Sequence, residues 1–76
     1  MSTYFAALSA AMAHQMTQPS PSAPAADRCE WWFDHSELLI DVADASDAQA
    51  VESRRARELA CEAIAEACRI AREAVA

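Results

Sequence analysis

The sequence predicts a helix-dominated α+β protein, and three observations carry that prediction. From Ser46 to Ala76, apolar residues return at three- and four-residue steps with no glycine or proline between them, the signature of one long amphipathic helix. From Arg28 to Ala43, aromatic and aliphatic residues alternate with polar ones on both sides of Asp34-His35-Ser36, the period of a β-hairpin. Three prolines at Pro19, Pro21 and Pro24 separate these parts from the start of the chain. With 76 residues, the chain is a single small domain, residues 1–76.

Residues 1–16 form the first helix, capped by Ser2 or Thr3. Tyr4, Phe5, Leu8, Met12 and Met16 fall at helical steps and give it a bulky apolar stripe without any charge. That stripe is expected to cover small residues elsewhere in the chain. Residues 17–27 form the linker, because prolines spaced by small residues favour extended, polyproline-like backbone.

The hairpin is expected at residues 28–43. Its inner face would carry Trp31, Phe33, Leu38, Ile40 and Val42, and its outer face Glu30, Trp32, Asp34, Glu37, Leu39 and Asp41. The competing reading is an all-α fold with a short helix at 35–44. Asp34 and Glu37 have the spacing of a capping box, and the acids at 34, 37, 41 and 44 have helical spacing. The turn also lacks the glycine that a tight hairpin favours.

The helix at residues 46–76 begins with Ser46 and Gln49 at capping-box spacing, and Asp47 and Glu52 place negative charge at the positive end of the helix dipole. Leu59, Ala60, Ala63, Ala67, Ile70 and Ala74 share one face, a seam for packing or for pairing with a second copy. The opposite face carries arginines and the ladder Glu58, Glu62 and Glu66. Alanines let a partner approach closely but bury little surface, so the seam needs bulk laid across it.

Composition bounds the function. Of the 41 apolar residues, 20 are alanine, so the core-forming set is thin and a dimer or a partner is the natural supplement. The net charge is −6, with no lysine. A direct nucleic-acid partner is therefore not expected, since phosphate binding needs a basic patch; a larger protein with a basic surface is the expected partner. No membrane partner is expected either. No apolar run is long enough to span a bilayer, and the first 26 residues lack the basic start of a secretion signal. Cys29, Cys61 and Cys68 form no CxxC and are expected to be reduced thiols of a cytoplasmic protein.

No catalytic residue, metal ligand set or cofactor is expected. Without a glycine there is no glycine-built phosphate cradle, and the adjacent Asp34, His35 and Ser36 cannot converge as a triad. His35 with Cys29, or Cys61 with Cys68, lacks zinc-site spacing. The expected function is a small acidic protein–protein interaction module, not an enzyme. Its partner-binding residues would be Glu30, Trp32, Asp34, Glu37, Leu39 and Asp41 on the hairpin and Glu58, Glu62 and Glu66 on the helix. Short, acidic, alanine- and arginine-rich chains of this kind look like accessory proteins of bacteriophages and mobile elements, including inhibitors such as anti-CRISPRs. That likeness is one of composition and implies an inhibitor docking on a nucleic-acid-binding complex. The alternatives are a helix-paired structural homodimer and an antitoxin-like regulator whose first half folds on its target.

Overall fold

The computed structural model describes residues 2–75, which form three α-helices in the order α1 (Thr3–Gln15), α2 (Ala25–Asp44) and α3 (Ala50–Ala74). Met1 and Ala76, at the outer ends of the two expected terminal helices, lie outside the described residues. α2 is the central element: α1 packs on one side of it and α3 on another, and both make their main contacts with α2. The Cα positions span 43 × 20 × 12 Å, so the molecule is elongated.

α1 starts where Ser2 caps it. The Ser2 hydroxyl accepts from the Phe5 N–H at 3.0 Å and donates to Asp47 at 2.6 Å. Asp47 also accepts from the Tyr4 N–H at 2.7 Å. A carboxylate from the α2–α3 connection therefore completes the cap of α1, using the charge preference of a helix N-terminus. This corrects the expected start of the last helix. Asp47 serves α1, and the residues before Ala50 form a turn closed by Ala48 N–H on the Ala45 carbonyl. The capping box of α3 lies three residues later, between Gln49 and Glu52.

The β-hairpin at 28–43 is not formed. The segment lies within α2, a 20-residue helix longer than the 35–44 alternative, and no strand occurs among the described residues. The physical reason is that α2 has two neighbours. Trp31 and His35 are buried beside His14 of α1, while the carbonyl of the buried Ala43 accepts from Ser53 of α3. A helix covered on two sides has a wide apolar arc, and interleaving that arc with acids imitates a period of two. A hairpin turn would also favour a residue with positive φ, and no described residue has one. The linker is shorter than expected, since α2 already begins at Ala25; the Arg28 side chain donates to the Ala23 carbonyl at 2.9 Å and holds the entry.

The α2–α3 seam is made of small residues. Ala56, Ala60, Ala63 and Ala67 are 4, 3, 2 and 0% exposed, with Ile70 at 2% as the one large side chain among them. Hydrogen bonds pin the seam towards both ends: Ser53 donates to the Ala43 carbonyl, and the Cys29 thiol to the Ala67 carbonyl at 3.4 Å. The bulk that α1 was expected to lay across these alanines reaches them at Ala56. Ala11 packs with Val42, Ala43 and Ala56, flanked by Tyr4, Leu8, Leu38 and Leu39, whereas Phe5, Met12 and Met16 face outward. Phe33, expected on an inner face, is also exposed.

Candidate protein-interaction surfaces

The helix divides the residues expected to form one binding face. Glu30, Asp34, Glu37 and Asp41 stand at steps of four, three and four along α2, so they form one row, and all four are exposed. Among the described residues none of the four pairs with an arginine, whereas the next acid in the row, Asp44, pairs with Arg57 of α3. Trp32 and Leu39 do not share that row. They are half-buried and line the concave side of the molecule.

That concave side is a groove with α2 as its floor and α1 and α3 as its walls. One half, a cavity of about 510 Å³, is lined by Gln15, Gln18, Trp31, Trp32, His35, Leu39, Leu59, Glu62, Ala63 and Glu66. The other half, about 290 Å³, lies among Tyr4, Leu8, Leu39, Val42, Val51, Glu52, Arg55, Ala56 and Leu59. Leu39 and Leu59 line both, so the two cavities adjoin along the groove. Of the α3 acids singled out in the sequence, Glu62 and Glu66 reach the groove. Glu58 is exposed and pairs with Arg55 at 3.3 Å.

Pairing restrains the α3 acids more than those of α2. Arg69 binds Glu66 and also Glu73, the latter at 2.7 Å. Its guanidinium holds the Glu66 carboxyl below the usual carboxylate range. α3 contains five carboxylates and five arginines, so it is formally neutral. α2 contains six carboxylates, Asp27, Glu30, Asp34, Glu37, Asp41 and Asp44, against Arg28 alone. The helix behind the groove therefore accounts for five of the chain's six net negative charges.

Below the groove lies a cluster that pattern reading missed. His14 of α1 and His35 of α2 meet at 2.9 Å through their Nδ1 atoms, with ring planes inclined by 18°. The Trp31 indole lies 4.7 Å from each imidazole and within 13° and 12° of their planes, so it covers the pair like a plate. Trp32 meets Trp31 edge-on at 4.9 Å. The indole N–H of Trp31 donates to the Thr17 hydroxyl at 3.0 Å, which donates to the His14 carbonyl at 2.6 Å. Burial, and then the charge of His14, pull the His35 pKa below its ordinary value. In the sequence His14 reads as an interruption of an apolar helix. The available signal was the four-residue spacing of Trp31 and His35.

Leu59 of the expected α3 seam turns to the groove, while Ala60, Ala63, Ala67 and Ile70 are buried against α2 and Ala74 is exposed. Cys29, Cys61 and Cys68 are free thiols, with Cys61 exposed. No three potential metal ligands converge, and no helix is long and apolar enough to cross a membrane, among the described residues. No protein-family model, curated protein or solved structure matches this chain.

Proposed function

We propose that this protein is a small helical protein-binding module that docks through the outward face of α2 onto a basic surface of a larger protein. The observation that carries the reading is the charge imbalance of α2. Its row Glu30, Asp34, Glu37 and Asp41 is exposed and makes no ion pair among the described residues. Of the chain's other acids, Asp44, Glu58, Glu66 and Glu73 pair with arginines. A row of unmatched carboxylates on a rigid helix costs stability through like-charge repulsion, and a cationic partner surface relieves that cost while steering the encounter. In the finer form of this reading the carboxylates take the place of backbone phosphates on a nucleic-acid-binding protein, and the module acts as an inhibitor.

The test is affinity capture from a bacterial lysate with the wild-type chain and with Glu37→Arg/Asp41→Arg, read by quantitative mass spectrometry. A partner captured by the wild type is expected to be lost with the reversed chain and to be released by rising salt. If the captured protein is retained by the reversed chain, the reading fails. For the inhibitor form, added nucleic acid is expected to compete for the captured partner.

A further inference from the structure

Phe5 and Met12 of α1 and Met16 at its C-cap are 67, 60 and 88% exposed, and α1 holds no Asp, Glu, Lys or Arg. With Tyr4 and Leu8 they form a continuous ridge. Tyr4, Leu8, Met12 and Met16 follow one another at four-residue steps, so the ridge begins in the groove wall and winds outward. These three side chains leave on the order of 400 Å² of apolar surface uncovered on one helix, within the range of the largest patches on monomers, which are often functional.

We infer that this ridge packs into the groove of a second copy of the same chain, and that α1 of the second copy fills the first in return. Three relations argue for this occupant. First, length: α1 has 13 residues, about 20 Å, and the α3 wall from Val51 to Glu66 rises about 22 Å. Second, arrangement: the same molecule carries both a ridge and a groove beside it. A two-fold axis satisfies both at once. Third, charge: α1 holds no carboxylate, so it adds no like charge to the Glu52, Glu62 and Glu66 that line the groove with Arg55. The three side chains supply about half of the roughly 800 Å² per partner of a standard interface, and the groove walls supply the rest. The acidic row of α2 lies on the side away from the groove, so the dimer displays two such rows, facing outward. A lipid surface suits the ridge less well, because helices that lie on membranes carry basic polar faces and α1 has none.

The experiment is sedimentation velocity on the full chain from low to high micromolar concentration. Reducing buffer prevents the exposed Cys61 from linking two copies. The wild type is expected to reach twice its 8.2 kDa mass. Met12→Glu, and separately Met16→Glu, are expected to weaken the dimer at least about tenfold with an unchanged helical circular dichroism spectrum. Glu37→Arg leaves the dimer as it is, so failure here is separable from failure of the α2 docking surface. A wild type that stays monomeric overturns the inference, as does a dimer indifferent to both methionine substitutions. A monomer that floats with phosphatidylcholine vesicles through Met12 also overturns it, and assigns the ridge to lipid.

Discussion

His14 and His35 share a single proton position: their Nδ1 atoms stand 2.9 Å apart, and only one of them can carry hydrogen on that side. One imidazole donates and the other accepts. Adding a proton to the acceptor would point two N–H groups at each other beneath the Trp31 plate. The neutral form of His35 is therefore favoured in the fold, and its pKa lies below the ordinary 6.5. The unfolded chain then takes up more protons than the folded one below pH 6.5, so stability is full above that value and falls as the pH drops beneath it. Thermal melts followed by circular dichroism should show a falling midpoint below pH 6.5. In His35→Gln the slope over that range should be much shallower.

Thr17→Val removes the acceptor of the Trp31 indole N–H and the hydroxyl that ties the end of α1 to it. The expected loss is about 1 kcal/mol in urea unfolding, with a change in near-ultraviolet circular dichroism as the indole shifts over the imidazoles. Thr17→Ser retains the hydroxyl and should stay close to wild type.

Asp47→Ala removes the carboxylate that caps α1 from 43 residues away. The expected cost is a loss of stability confined to the start of α1. Amide hydrogen exchange should speed up in residues 3–15, while α2 and α3 keep their protection. Bonds from Ser2 and then from the Tyr4 N–H hold the Asp47 carboxyl below its ordinary 3.8. Its contribution is therefore present above that pH and is lost as acid titrates the folded carboxylate.

Ala67→Leu tests the α2–α3 seam at the most buried of its alanines, which is 0% exposed. No space exists there for three more carbons, so the expected destabilisation is about 1–3 kcal/mol in chemical denaturation. Ala65→Leu, at an exposed position of the same helix, should change stability by less than about 0.5 kcal/mol.

Much of α3 was legible because it has one dominant apolar face, and α1 because Ser2 is a recognisable cap, whereas the cap of α3 lies three residues beyond the expected one. α2 was less so. Its residues answer to two neighbours, and the code for two contacts written on one helix reads as alternation. The row Glu30, Asp34, Glu37, Asp41 and Asp44 held the deciding signal, since its steps are helical throughout. The candidate site was legible in the identity of its acids but not in their grouping, because the choice of helix over hairpin decides whether Trp32 sits among them or behind them. Asp47 and the His14–Trp31–His35 cluster depend on contacts made between elements, which no local periodicity encodes.

The alanine seam has a thermodynamic consequence. Unfolding α2 from α3 exposes methyl groups where most proteins of this helical content expose leucines and isoleucines. The heat-capacity change of unfolding scales with the apolar area exposed, and so does the slope of stability against denaturant. Both should be small for a chain of 76 residues. The stability curve is then a shallow arch, with broad transitions on heating and in urea and little tendency to unfold in the cold.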